Sequence, residues 1–222
     1  MNLNLALFDL DHTLLDGDMN TLWIEYLIVH GHLPDQVRQQ QLDYMKRYAA
    51  EELDIADYLE FHLQLLTQRP LDDWLAVRAD FVAAEIVPRI SPVARDAVSR
   101  HRAQDHRLVI ITATNSFLSS AIGELLGVQV VAPRATIRDG RLSGNFEGAP
   151  CFREQKLACL SAWQESQGLS DDSIAARYFY SDSANDLPLL EAVSHPVAVN
   201  PDRRLTEHAQ LRGWPILDWR CA

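Results

Sequence analysis

The 222-residue chain has little cysteine, no excess of basic residues and no long apolar run, and each shortage narrows what it can be. Its three cysteines, Cys151, Cys159 and Cys221, are an odd number at spacings that match no zinc site. Reduced thiols in a cytoplasmic protein are expected on that basis. Lys and Arg number 20 against 31 Asp and Glu, a net charge of -11, which repels polyanions and argues against nucleic acid or an anionic membrane surface as partner. A small anion in a local pocket is not opposed by it. Apolar stretches such as the one around Leu108 to Ile111 fall far short of the ~20 residues that span a bilayer. Met1-Asn2-Leu3-Asn4 has no basic n-region and leads into an apolar segment, so no signal peptide is expected. No internal repeat or low-complexity tract breaks the chain.

What is present reads as a globular α/β protein. Apolar residues make up 47% and charged residues 23%, far from the signature of disorder. Leu3 to Phe8 is a short apolar run that stops at an acidic cluster, the pattern of a buried parallel strand ending at a functional edge. Arg107 to Thr112, Val128 to Ala132, Arg177 to Ser181 and Pro196 to Asn200 repeat the pattern, with a sixth candidate at Trp214 to Leu217. Helical patterns lie between them at Val93 to Gln104 and Ser116 to Leu126, the second followed by Gly127 as a C-cap. This alternation predicts a Rossmann-like parallel sheet flanked by helices on both faces.

Residues 19–86 interrupt it with apolar positions at helical spacing and no convincing strand. The expected division is therefore an α/β core of residues 1–16 and 88–222 with an inserted helical cap over residues 17–87. Pro34, Pro70 and Pro88 sit where helices should start or stop, which divides the insertion into about four helices. A second, smaller insertion is expected as a β-hairpin turning at Asp139-Gly140.

Four places carry chemistry. Asp9 and Asp11 lie two residues apart just past the first strand, at the edge where open α/β sheets bind ligands. One carboxylate can attack phosphorus and the other can carry protons, although acidic residues also cap turns and helices there. Thr112 follows the second core strand and suits a phosphate oxygen, with an N-cap at Thr114 or Asn115 as the alternative for this segment. Lys156 precedes a helical pattern, where a lone lysine is usually a solvated charge. Asp182 and Asp186, four apart with Asn185 between, suit a hard cation that prefers oxygen ligands.

Read in order, Asp9-x-Asp11-x-Thr13, Thr112, Lys156 and Asp182-x-x-x-Asp186 resemble the four motifs of the haloacid dehalogenase superfamily. The helical insertion after the first motif is similar to the phosphoserine-phosphatase-like branch (subfamily IB, with a C1-type cap). Some bacterial members of that branch are described as histidinol-phosphate phosphatases. The resemblance implies a Mg2+-dependent phosphatase in which Asp9 is the nucleophile and Asp11 the general acid and base. Thr112, Lys156 and Asn185 would contact the phosphate of a small phosphate ester. Asp9, the Asp11 carbonyl, Asp182 and Asp186 would hold the metal, Asp186 directly or through water. Asp18 stands where phosphoserine phosphatases have a glutamate that binds the substrate amine; an N-cap for the helix beginning near Asn20 is its other role. Histidinol phosphate is the first substrate expectation and phosphoserine the second. A phosphotransferase and a phospho-accepting regulatory module are the competing functions; the large insertion and the carboxylate at Asp11 argue against the latter.

Overall fold

The computed structural model describes residues 3–221. Met1 and Asn2, on which the signal-peptide expectation partly rests, lie outside that range. Strand β1 (Leu3–Phe8) is central in a sheet with β2 (Arg107–Ile111) and β3 (Gln129–Val131) on one side. On the other side lie β6 (Ile174–Ser181), β7 (His195–Val199) and the two-residue β8 (Ile216–Leu217), and every pairing is parallel. The hairpin β4 (Arg134–Arg138) and β5 (Arg141–Glu147) forms a separate two-stranded sheet. Its turn residues Asp139 and Gly140 have φ of 51° and 72°, the left-handed pair that a two-residue hairpin turn requires.

Both faces of the main sheet are buried, which is why β1 reads as a continuous apolar run. Ala6 and Phe8 point into one core shared with Ile110, Leu118 and Val199, whereas Leu5 and Leu7 point into another with Val109, Ile111 and Phe179. Helices α5 (Pro92–Ala103) and α6 (Ser116–Leu126) cover the first face. Helices α7 (Gln155–Ser166), α8 (Leu187–Ala192) and α9 (Arg203–Arg212) cover the second. Gly127 ends α6 in the left-handed conformation, φ 62°.

Between β1 and α5 run α1 (Met19–Val29), α2 (Gln36–Ala49), α3 (Ile55–Gln64) and α4 (Leu71–Phe81). Their attachment to the sheet is aromatic. Trp23 of α1 packs edge-on against Phe81 of α4 at 5.0 Å and joins the same core as Phe8 and Ile110. A smaller cluster of Ile24, Ile28 and Val37, with Phe61 and Leu65 against it, ties α1 to α2 and α3. The hairpin braces these helices: the Gly140 carbonyl accepts from Leu71 N at 2.8 Å and the Gly144 carbonyl from Gln64 Nε2 at 3.3 Å. Gly144 has φ +86° and a Cβ there would collide with the Gln64 side chain, so no other residue fits without strain. No helix among the described residues is long and apolar enough to cross a membrane.

The cysteines depart from expectation. Cys151 and Cys159 are joined in a disulfide with their Cα atoms 5.9 Å apart, and only Cys221 is free. Left-handed backbone at Cys151 (φ 51°) and Arg153 (φ 53°) folds the loop back over the first turns of α7. Sequence spacing carries no sign of those two turns.

Candidate active site

The register of the sheet assembles the site. Phe8 is level with Ile110 on one side and Tyr180 on the other, so the residues just after β1, β2 and β6 emerge side by side at one edge. Asp9 N donates to the Tyr180 carbonyl at 2.9 Å and Thr112 N to the Val131 carbonyl at 3.1 Å, which holds both residues on the strand ends. A cavity of about 230 Å³ opens there, lined on the sheet side by Asp9, Asp11, Thr112, Lys156, Asp182 and Asp186. Asn185 and Asp18 line it too. All eight residues expected from the sequence therefore share one cavity.

Lys156 enters from the first turn of α7 with its side chain 4% exposed. Its Nζ lies 2.6 Å from Asp9 Oδ1 and 2.7 Å from Asp186 Oδ2. Burial pulls such an ammonium down, but Asp186 and Asp9 outweigh it and hold Lys156 above its ordinary value, so it remains charged. Asp186 Oδ2 also accepts from Ser181 Oγ at 2.7 Å. Thr13 Oγ1 sits between Asp9 Oδ2 and Asp182 Oδ1, at 3.4 Å and 3.5 Å. Burial first, then the charges of Asp9 and Asp186, push the Asp182 carboxyl well above the usual range.

Asp11 is held on both oxygens, by Met19 N at 2.7 Å on Oδ1 and by Thr114 Oγ1 at 2.7 Å on Oδ2. Burial, then Asp18 and Asp9, push its carboxyl up to about 8. It is thereby a protonated acid near neutral pH, and burial outranks the neighbouring charges as the cause. Asp18 takes the capping role, its Oδ1 accepting from Thr21 N at 2.7 Å at the start of α1, and also stands at the cavity.

Asp9, Asp182 and the main-chain oxygen of Asp11 are hard oxygen donors, and the Asp9 oxygen that Lys156 does not hold shares one hydroxyl with half-buried Asp182, an arrangement that a cation would stabilise. Among the described residues no three His, Cys, Asp or Glu side chains converge as a metal-binding group. Asp186 gives one oxygen, Oδ2, to both Lys156 and Ser181, and neither bond uses its Oδ1. Magnesium keeps several waters, so two carboxylates and a carbonyl fit it.

Sequence reasoning missed several members. Thr114 does not cap α6; Asn115 does, accepting from Leu118 N at 3.3 Å, and Thr114 is spent on Asp11. The insertion supplies the far wall through Met45, Tyr48, Leu53, Ile55 and Tyr58, with Phe152 at its rim. Apolar spacing marks such residues as helical core and gives no sign that they face a cavity. Arg47 stands 4.0 Å from Asp57 and is not in the lining.

Comparison with known proteins places this geometry. The pattern of haloacid dehalogenase-like hydrolases matches residues 6–191. A protein named histidinol-phosphatase from Neisseria meningitidis serogroup C (strain 8013) is 37% identical over 220 residues, 98% of this chain and 99% of that one. A crystal structure of a protein of unknown function from Bordetella pertussis Tohama I superposes with a TM-score of 0.94 at 40% identity, covering 99% and 100% of the two chains. A substrate-bound phosphoserine phosphatase shares the fold with a TM-score of 0.70 at 17% identity, over 99% and 94%. A sheet of this topology, the matched residues and the whole-length similarity make this chain a member of the haloacid dehalogenase-like hydrolase family.

Proposed function

We propose that the chain is a magnesium-dependent phosphomonoesterase acting through an aspartyl phosphate on Asp9, with residues 17–87 as a cap over the site. The observation that carries this is the buried Lys156 ammonium clamped between Asp9 and Asp186 at the carboxyl edge of the central strand. Asp9 attacks phosphorus in line; its bond to phosphorus forms as the ester P–O bond breaks, and Asp11 gives its proton to the leaving alkoxide. Water then attacks the aspartyl phosphate, Asp11 takes a proton back, and inorganic phosphate leaves Asp9 restored. Lys156, Thr112 and Asn185 bind the phosphoryl oxygens. Phosphatases of this family generally use magnesium; Asp9, Asp182 and the Asp11 carbonyl would hold it, and it would offset the charge of the carboxylates and the phosphate.

For the substrate we favour a cytoplasmic, amine-bearing metabolite, histidinol phosphate ahead of phosphoserine. Asp18 offers the amine a carboxylate oxygen not used in capping. Lys156 is the one Lys or Arg among the described lining residues and is already paired twice, so a substrate carboxylate beside Asp18 would meet the Asp18 charge with no free lysine or arginine to offset it. The relative named histidinol-phosphatase, similar along its whole length, points the same way. A phosphate-release panel with magnesium tests both levels. Histidinol phosphate should have the highest kcat/KM and EDTA should abolish release; preference for phosphoserine refutes the substrate, and turnover that survives chelation refutes the metal.

A further inference from the structure

The catalytic edge of the sheet is contacted by one side chain of the helical insertion that the chemistry above leaves unused. Tyr48, near the end of α2, lines the same cavity as Asp9 and Lys156. Its hydroxyl oxygen is 3.0 Å from Asn185 Nδ2. Among the described residues it alone hydrogen-bonds from the insertion, through a side chain, to the Ser181–Asp186 loop.

The direction of that bond follows from a neighbour. Arg153 Nε stands 3.2 Å from the other end of the Asn185 amide. An arginine nitrogen only donates, so the amide atom facing it is the oxygen, and the atom facing Tyr48 is the nitrogen, also a donor. Tyr48 therefore accepts from Asn185, and its own O–H can turn either to the neighbouring Ser183 side chain or into the cavity. Contacts on one side place the ring, which is 40% exposed: the Arg153 guanidinium lies 5.1 Å over the Phe152 ring, and Phe152 lies 6.3 Å from the Tyr48 ring. Tyr48, Asn185, Arg153 and Phe152 thus close a ring of contacts at the cavity mouth, with one hydroxyl hydrogen and one amide hydrogen of Asn185 left over.

We propose that Tyr48 is a phosphate ligand supplied by the insertion, donating its O–H to a phosphoryl oxygen while Asn185 holds the phenol in place. This rests on the phosphatase activity proposed above and extends it, because a hydroxyl delivered by α2 completes the phosphate site only when the insertion is seated on the sheet. A second tie lies three residues on, where Glu51 pairs with Arg204 of α9. It provides a control for mere latching.

The test compares Tyr48→Phe and Glu51→Gln with wild type by calorimetric titration of inorganic phosphate in magnesium, and by kcat/KM for histidinol phosphate and p-nitrophenyl phosphate. Loss of one charge-assisted donor should weaken phosphate binding by roughly 10- to 100-fold in Tyr48→Phe. Both substrates should lose kcat/KM in the same proportion, since the phosphate is common to them. The variant should melt only about 2–4 °C lower, as one lost hydrogen bond implies in a chain this size. Glu51→Gln, which removes an exposed ion pair, should bind phosphate within about twofold of wild type. Unchanged phosphate binding in Tyr48→Phe overturns the proposal, and so does an equal loss in both variants, which assigns Tyr48 to latching alone. Because binding is read without turnover, failure of wild type to hydrolyse either ester would count against the phosphatase while the Tyr48 contact is still decided.

Discussion

The carboxyl edge of the sheet and the helical insertion build opposite walls of one cavity by different means. At the sheet edge, strands whose inner residues are fully buried hold Asp9 and Thr112 by main-chain hydrogen bonds, and Lys156 is locked in a buried double ion pair. The insertion carries charges outward, in exposed pairs such as Arg38 with Glu25, and lines the cavity with Met45, Ile55, the buried Tyr58 and the 40% exposed Tyr48. Under the proposed function, a rigid polar edge would perform the same reaction on any ester it receives, and an apolar wall with one carboxylate, Asp18, would sort the leaving groups.

If that division holds, substitutions at the edge depress every substrate alike, as does the loss of the proposed phosphate ligand Tyr48, whereas substitutions at Asp18 and the apolar wall discriminate. Asp9→Asn should lower kcat by on the order of 10^4-fold or more for histidinol phosphate and for an aryl phosphate equally. Unequal losses would blur the division. Lys156→Met should strand Asp9 and Asp186 without a counter-charge, costing roughly 3–5 kcal/mol of stability, read as a lower urea midpoint. A wild-type midpoint would mean the pair contributes nothing to the fold.

Asp18→Asn sharpens the comparison from the other wall. Losing a charge-assisted contact to a substrate ammonium should lower kcat/KM about 10- to 150-fold for the amine-bearing ester, with little change for the aryl phosphate. Equal ratios for the two esters would reduce Asp18 to its cap on α1, where the cost is about 1 kcal/mol of stability.

The smallest expected effect separates the walls by pH. In EDTA, Asp11 (raised from 3.8 to about 8) and Asp182 (raised) retain protons in the folded protein that the unfolded chain releases. Stability should therefore fall as pH rises from the ordinary aspartate value toward about 8. Magnesium, which binds the ionised carboxylates, should raise the melting temperature more at pH 8 than at pH 5. A magnesium shift independent of pH would place the cation away from these carboxylates.

The two walls were also unequally legible in the sequence. The strand β1 and its acidic end could be read because a doubly buried parallel strand leaves an unbroken apolar run, and Lys156, Asp182 and Asp186 gained meaning from their order along the chain. Tyr58 could not be assigned, since helical periodicity shows that a residue is inward but not what it faces. Thr114 was hidden behind a cap signal that belongs to Asn115, and the Cys151–Cys159 bond behind two left-handed turns. Each miss is a tertiary contact with no local pattern.

The central claim is that the phosphoryl group passes through Asp9 while Asp11 handles the proton. Rapid acid quench of the magnesium enzyme with histidinol phosphate, followed by borohydride trapping and peptide mass spectrometry, tests it directly. The predicted result is a label on Asp9, with Asp11 unmodified. A label on Asp11, or none on any residue under single-turnover conditions, would contradict it.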